Sequence, residues 1–394
     1  MFLTNECEVC GAVELNSVMD LGPHALCDDL VEIGNDKVCE KYPIEILFCD
    51  VCKTAHQKYQ VEKATLFPAN YHYRARMTGS VLNGMQELVS SCEDALGQLN
   101  GLKVLDVGCN DGSLLNFFSA KGCDTFGVEP TEAALDSSHP MINDFFGPSS
   151  ALKVIENFGR PDIITFTNVF AHVENLPLLL EALKMLVSET TTIVIENHYL
   201  GAVLETGQFD TFYHEHPRTY SLTSFEYIAR SLGLNIVKYQ FVSRYGGNIR
   251  VFISNGPTVD TTVVNETSFK ESFARMQLEV LEWRTDTRKL IEKLVNSHGP
   301  LPAKAFPGRA AILIELLGLD ESMISAVYEI KGSVKVGHYV PGTRIPILPE
   351  STLFEKKVVG PIINLAWHIP TEVRENLRRN GFMGEVIDIK RGIE

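Results

Sequence analysis

The sequence predicts a mixed α/β chain built on a parallel sheet. A small cysteine-stapled module precedes the sheet and a second α/β segment follows it. Three observations carry this expectation. Two CxxC pairs, Cys7/Cys10 and Cys49/Cys52, lie before residue 53. Residues 103–130, KVLDVGCNDGSLLNFFSAKGCDTFGVEP, read as strand, glycine turn, helix and strand. A long charged amphipathic stretch over residues 265–297 then separates this pattern from further α/β sequence beginning near Pro300. The expected divisions are 1–65, 66–258 and 259–394.

Composition bounds the rest. A chain of 394 residues with 45% apolar and 22% charged residues fits a globular protein of two or three domains. No apolar run approaches the roughly 20 residues that span a bilayer. The start, MFLTNECEVC, has no basic segment leading into an apolar one, so no signal peptide is expected. The expected compartment is the cytoplasm. A formal charge of −15 and the lack of a basic stripe argue against nucleic acid as a partner. A small molecule is expected instead, and a local Arg or Lys cluster could hold one phosphorylated ligand.

Taken in order, the elements begin with the cysteines. There are nine: Cys7, Cys10, Cys27, Cys39, Cys49, Cys52, Cys92, Cys109 and Cys123. An odd number in a chain expected to be cytosolic favours metal ligation over disulfides. Two residues between thiolates let both sulfurs of a pair face one metal, and Cys7, Cys10, Cys49 and Cys52 complete a tetrahedral zinc site. The 38 residues between the pairs imply an inserted subdomain with β-like runs such as Ile44–Phe48. Four thiolates close the site, which gives it a structural role. Coincidental buried cysteines or a redox pair are the alternatives. Cys27 and Cys39 read as buried small residues.

The helical pattern of Val81, Leu82, Met85 and Leu88 leads into the core. A strand follows (Val104, Leu105, Val107), then the turn Asp106–Gly112, a helix over Ser113–Ala120 and a strand over Thr125–Val128. Further strands are expected at Ile163–Phe166 and Thr192–Ile195, then a hairpin of Asn235–Val242 and Ile249–Ser254 turning at Tyr245-Gly246-Gly247. On the long helix, Arg275, Glu279, Glu282 and Lys289 mark the wet face.

The turn is the first functional signal. Gly108 allows close backbone approach to a ligand, and Gly112 permits tight strand–helix packing. Its GxNxG spacing is not the GxGxxG of dinucleotide binders. It resembles motif I of the class I methyltransferases that use S-adenosylmethionine (SAM), with Asn110 for the central glycine. Asp106 precedes it, and Glu129 ends the next strand 23 residues later, where a carboxylate can accept both ribose hydroxyls. Phe145, beside Asp144 and Phe146, is expected near the adenine; both rings could instead be core. Asn168, opening Asn168-Val169-Phe170-Ala171-His172, is expected near the methionine end. A turn holding NAD, or no ligand, is the alternative.

Four further strings extend the resemblance. They are Phe209-Asp210-Thr211-Phe212-Tyr213-His214-Glu215-His216, Gly246-Gly247-Asn248-Ile249-Arg250, residues 337–347 (GHYVPGTRIPI) and Asn70-Tyr71-His72-Tyr73. With Asn168–Val173, they make the chain similar to the zinc-containing sugar C-methyltransferases over nearly its whole length. That resemblance implies a class I SAM methyltransferase core, Rossmann-like, between a zinc domain and a C-terminal α/β domain that helps hold the substrate. It implies SAM and structural zinc as cofactors, and a nucleotide-linked keto-deoxysugar as the acceptor. Three strings depart from the family pattern. Asn248 replaces a serine after the glycine pair, His368 replaces the asparagine of an AWN string, and Ala305-Phe306-Pro307-Gly308-Arg309-Ala310 replaces a Gly-Tyr-Gly-Ala turn.

Carbon methylation needs a carbanion equivalent. A base of near-neutral pKa removes a proton alpha to a ketone, and a donor meets the developing oxyanion. The resemblance makes His216 the base, with Tyr213 and Glu215 positioning it or the sugar, and Tyr73 is a candidate donor to the oxygen. His214 is a further candidate for the site, with a structural hydrogen bond as its competing role. In extended geometry Tyr213 and Glu215 would face one way and the two histidines the other; a turn would relax this. Arg250, Lys304, Arg309 and Arg344 are candidates for the diphosphate. A SAM enzyme acting on oxygen, nitrogen or a non-sugar acceptor, and a SAM-binding scaffold without turnover, are the competing functions.

Overall fold

The computed structural model describes residues 1–67, 74–77, 79–356 and 359–390. Its central sheet has seven strands, labelled here in chain order: β1 Lys103–Val107, β2 Asp124–Val128, β3 Met141–Ile142, β4 Ile163–Thr167, β5 Thr192–His198, β6 Asn235–Val242 and β7 Asn248–Ser254. They lie in the order β6-β7-β5-β4-β1-β2-β3. Pairings from β3 across to β5 are parallel, and β7 runs antiparallel between β5 and β6. The chain passes from β1 to β2 and β3 on one side and returns to β4 on the other. The carboxyl ends of β1 and β4 therefore flank a topological switch point, where sheets of this kind open a crevice for ligand. The core strands are near-continuous apolar runs because helices cover both faces. Val104, Leu105, Ile164, Phe166, Ile193 and Ile195 are all buried.

The N-terminal module is an antiparallel sheet with long strands at Asn16–Ala25 and Lys41–Cys49 and a third at Thr54–Gln57. Its fourth strand, Arg218–Thr219, comes from the central domain and pairs with His56 and Ala55. The expected division at residue 65 thus hides a strand donated from 150 residues further on, which no local pattern announces. Arg218 is fully buried. Its guanidinium donates to Glu8 Oε2 at 2.6 Å, to Tyr220 Oη at 3.0 Å and to the carbonyls of Glu174 and Val173. This cation locks the module to the core directly behind the segment that carries His216.

The amphipathic stretch is a helix over Phe269–His298. Its buried stripe (Phe269, Phe273, Met276, Val280, Ile291) packs against the strand Asn16–Ala25, the helix Ala310–Leu317 and the strand Leu301–Lys304. Arg275 and Glu279 form an exposed i,i+4 pair, as the wet face predicts. The C-terminal sheet has five parallel strands in the order Ile347–Pro349, Ile324–Glu329, Leu301–Lys304, Ile362–Asn364 and Val386–Asp388. A short ladder of Val31–Glu32 with His338–Tyr339 ties it to the N-terminal module. Among the described residues, no helix is long and apolar enough to cross a membrane.

Candidate active site

Cys7, Cys10, Cys49 and Cys52 converge so that their sulfurs all lie within 4.8 Å of one another. Cys7 Sγ is 3.3 Å from Cys52 Sγ, and Cys10 Sγ is 3.6 Å from Cys49 Sγ. Sulfurs about 2.3 Å from one zinc stand roughly 3.8 Å apart in a tetrahedron, so the donor set and its spacing fit the metal. Cys27 and Cys39 are buried and lie outside this cluster, as expected.

A cavity of about 800 Å³ opens at the carboxyl ends of β1, β2, β4 and β5. Its cofactor end is lined by Asp106, Gly108, Asn110, Glu129, Phe145 and Asn168. The turn after β1 is built from left-handed residues, with Gly108 at φ 70, Asn110 at φ 50 and Gly112 at φ 76. Asparagine is the side chain that tolerates this region best after glycine, which explains how Asn110 replaces a glycine there. A Cβ on Gly108 would meet Val169 Cγ1 at 2.6 Å. Glu129 Oε2 accepts from the amide of Asn110 at 2.9 Å, and its Oε1 accepts from Thr131 N at 2.9 Å and Thr131 Oγ1 at 2.6 Å. Three donors thus fix a buried carboxylate with lone pairs to spare. Asp106 lies deeper. Burial pushes its carboxyl up to about 7, while Thr165 Oγ1, donating at 2.7 Å, pulls it back.

Gly112 keeps the packing role expected of it but stands outside the cofactor-site residues it was grouped with. It does not line the cavity. It starts the helix Ser113–Ser119, and a Cβ there would meet Ser137 Oγ at 2.3 Å. Its role is helix packing. Phe145 stacks under Lys63 Nζ, 4.4 Å from the ring centroid, and Phe146 meets Phe166 edge-on while also reaching the cavity. Asn168, at φ 53, accepts at Oδ1 from Asn248 Nδ2 at 3.0 Å. The departure at position 248 is therefore part of the wall behind the cofactor end.

The other end is a polar chamber. Phe209–Thr211 is a 3₁₀ turn, followed by a tight turn closed by His216 N donating to Tyr213 O at 2.9 Å. This turn breaks the strand alternation, so Tyr213, Glu215 and His216 all face the cavity. His214 is the exception: it stands outside the candidate site and makes the structural hydrogen bond that was its competing role. It points away, its Nε2 is 3.0 Å from Tyr42 O in the N-terminal module, and it does not line the cavity. Tyr73, with the rest of Asn70–Tyr73, lies outside the described residues.

His216 Nδ1 is 2.9 Å from the carbonyl of Thr211 and must donate to it, which leaves Nε2 as the acceptor. Burial, then the neighbouring His172 and His198, hold His216 well below the usual imidazole range. Burial also raises the Tyr213 phenol and the Glu215 carboxyl well above their usual values, with neighbouring acids adding to both. His172, His198, Arg244, Tyr245, Arg309 and His368 complete this chamber. The His172 and His198 rings stand 4.7 and 5.4 Å from that of His216. Cys27, Asp28 and Lys335 close it from the two flanking domains. His198 could have been found, since it ends β5 at the carboxyl edge of the sheet. Nothing local marks Asp28 or Lys335.

Of the four basic candidates, Arg309 alone lines the cavity. Arg250 is buried in an ion pair with Glu196, at 2.6 and 2.8 Å. Lys304 pairs with Glu350 at 2.9 Å, and Arg344 donates to the carbonyls of Asn35 and Asp36 at 2.6 and 3.0 Å. These three are structural.

Comparison with known proteins agrees with this layout. Three family models match in chain order: "Putative zinc binding domain" over residues 7–67, "Methyltransferase domain" over 74–239 and "C-methyltransferase C-terminal domain" over 243–385. The chain is 26% identical to C-methyltransferase NovU of Streptomyces niveus over 393 residues, covering 94% of this chain and 92% of the relative. It is 30% identical over 103 residues to the ubiquinone biosynthesis O-methyltransferase of Leptothrix cholodnii, covering 24% of this chain and 43% of the relative. Among solved structures, magnesium protoporphyrin IX methyltransferase of Synechocystis with bound S-adenosylhomocysteine aligns at 16% identity and a TM-score of 0.34, over 44% of this chain and 83% of that one. With its four-thiolate cluster, its glycine turn and carboxylate at the switch point and its matched C-terminal domain, the chain is a SAM-dependent methyltransferase that is similar, over nearly its whole length, to a C-methyltransferase.

Proposed function

We propose that the protein methylates a carbon alpha to the ketone of a nucleotide-linked keto-deoxysugar, with His216 as the base. The observation that carries this reading is the orientation of His216. Its Nδ1–H is committed to Thr211 O, so the free lone pair is on Nε2, on a buried ring that lines the cavity. A depressed pKa keeps that lone pair unprotonated at neutral pH. General-base catalysis is served best by a base near neutral pKa. The buried ring is weaker than that, so the acceptor's proton must be acidified by other groups. Glu129 and the Asn110 turn would hold SAM, which supplies an electrophilic methyl group on a sulfonium. The chain's own residues hold the acceptor, exclude water and take the alpha proton. The nucleotide-sugar identity draws support from the family strings and from the C-terminal domain that closes the chamber.

Exchange of the acceptor's alpha protons with deuterated water, in the presence of S-adenosylhomocysteine, isolates the proton transfer. Thymidine, uridine and guanosine diphosphate 4-keto-6-deoxyhexoses are the probes. Wild type should exchange one position in at least one of them. His216→Asn keeps the size of the ring but cannot take a proton, and should slow exchange and turnover by about 10²- to 10⁴-fold. His214→Asn should cost far less. Exchange that persists in His216→Asn would move the base elsewhere. Methyl transfer to oxygen or nitrogen, without exchange, would replace this reading by heteroatom methylation.

A further inference from the structure

We propose that Arg309 is the electrophile of the reaction, the group that meets the oxygen of the acceptor's ketone as it becomes an enolate. The inference rests on the C-methylation reading above and assigns a residue within the segment where this chain departs from the family's Gly-Tyr-Gly-Ala turn.

Arg309 is a cation held at two of its three nitrogens. Nε faces Asp210 Oδ2 at 3.3 Å. Nη1 donates to Thr211 Oγ1 at 3.1 Å and to Gln208 Oε1 at 3.4 Å. The guanidinium stacks over the indole of the fully buried Trp367, 5.1 Å from its centroid. Trp367 Nε1 in turn donates to Asp210 Oδ2 at 2.9 Å, so the counter-ion is fixed as well. Nη2 is buried and has no partner among the described residues. A guanidinium nitrogen left unmade in a protein interior costs free energy unless something else completes it. This one belongs to a side chain that is 12% exposed and lines the cavity.

Thr211 is what ties this donor to the base. Its carbonyl takes His216 Nδ1–H, and its hydroxyl takes Arg309 Nη1–H. Base and cation therefore hang from the two oxygens of one residue, and their spacing is set by one backbone turn. Enolisation demands such a pair, because the carbonyl oxygen sits on the carbon next to the one that loses its proton. Arg309 is also among the charges that, after burial, keep His198, His216 and His368 unprotonated. Asp210 is its paired carboxylate, and the imidazoles that share the chamber with it stay neutral.

The chemistry balances as follows. The lone pair on His216 Nε2 takes the alpha proton. The C–H pair becomes the C=C bond, and the carbonyl π pair moves onto oxygen, where Arg309 Nη2–H donates to it. The pair then returns. The alpha carbon bonds to the methyl carbon, the sulfur–methyl bond breaks with its pair left on sulfur, and the proton on His216 passes to solvent. A fixed donor aimed at the developing charge also explains how a weakly basic histidine suffices, since it lowers the pKa of the proton to be removed.

The test uses Arg309→Gln, Arg309→Lys and Thr211→Val in the full-length zinc-loaded protein, with the three nucleotide-linked 4-keto-6-deoxyhexoses as probes. Exchange into the alpha position, kcat and KM are read for each, with calorimetric binding of S-adenosylhomocysteine as the control. Arg309→Gln should lower exchange and kcat by about 10²- to 10³-fold, the loss seen when one oxyanion donor is removed. Arg309→Lys should recover part of this, and S-adenosylhomocysteine affinity should stay within twofold. Removing Arg309 strands the buried Asp210, so Arg309→Gln can fail to fold. Thr211→Val keeps the cation, loses only its aim, and should lower kcat about tenfold at unchanged KM. A rise in acceptor KM with unchanged kcat and exchange would overturn the proposal and make Arg309 a binder of a remote anionic substituent. Wild type that exchanges no probe overturns the enolate reading and the electrophile with it. Wild type that exchanges while Arg309→Gln or Thr211→Val keeps pace overturns the electrophile alone.

Discussion

The cofactor end of the cavity is assembled from residues 106–110, 129, 145 and 168, each at or just beyond the carboxyl end of a strand in one sheet. The acceptor end draws on residues from Cys27 to His368, contributed by all three parts of the chain. The first is coded locally. Left-handed turn residues aim backbone amides, and a single carboxylate is fixed by three short-range donors. The second is coded by long-range packing, with Arg218, Thr211 and Asp210 acting as fasteners between segments far apart in sequence. A locally coded site should survive damage elsewhere in the molecule, and a site assembled across domains should not.

The largest effect should come from the metal. One zinc per chain is expected by elemental analysis. Cys7→Ser should release it and unfold the N-terminal module, because a structural zinc contributes on the order of 10 kcal/mol to such folds. The acceptor end should fail with it, since Cys27 and Asp28 sit in that module and Arg218 bridges to Glu8 beside Cys7. Binding of S-adenosylhomocysteine to whatever remains folded should be less affected. A metal-free chain with full activity would sink both the site and the contrast.

Glu129→Ala breaks the comparison from the other side. It should weaken S-adenosylhomocysteine by about 1.5–3 kcal/mol for each charged hydrogen bond lost, roughly ten- to a hundred-fold. Zinc content and acceptor KM should not move. Unaltered affinity in a calorimetric titration would mean that Glu129 does not touch the ribose.

Acid should separate the two ends more gently. Burial lowers His172 to about 4 against backbone hydrogen bonds that raise it, and burial followed by neighbouring charges lowers His198 and His368 to about 3. At these rings the folded chain therefore binds fewer protons than the unfolded chain below about pH 6.5, while the raised carboxyls of Asp106 and Glu215 act in the opposite sense. The stability these rings confer is complete above that pH and is lost as the pH falls toward their folded values. Tm should drop by several degrees between pH 7 and 5.5 while zinc remains bound, and His198→Gln should flatten the slope. A flat Tm in wild type would show that the rings ionise as readily folded as unfolded.

The smallest effect concerns Ala305, at φ 63 beside the acceptor chamber. An L side chain there is strained, and the family pattern places a glycine at the opening of this turn. Ala305→Gly should raise stability by up to about 1 kcal/mol in urea unfolding. A loss of stability would mean that the methyl group earns more from packing than the backbone gives up.

Much of this molecule was legible before its structure. The zinc ligands and the strands of the central sheet rest on short-range patterns: CxxC spacing, apolar runs and a left-handed turn between strand and helix. Such patterns are local because backbone conformation is decided within a few residues. Glu129 was readable for the same reason, as the end of the strand after the glycine turn. His214 and His216 show where that reading stops. Alternation along an extended segment would have set them together, but a turn closed by the amide of His216 sends one to the cavity and the other to Tyr42. Arg250, Lys304 and Arg309 are indistinguishable as letters. Burial against Glu196 and Glu350 spends the first two on structure, while the fixed geometry of Asp210, Thr211 and Trp367 leaves one nitrogen of the third open. The sequence by itself determined the fold, the four-cysteine cluster and the glycine turn with its carboxylate, because each is specified by short patterns along the chain. Which charges face the acceptor was decided only in three dimensions, because a charge's role depends on the partner that packing brings to it.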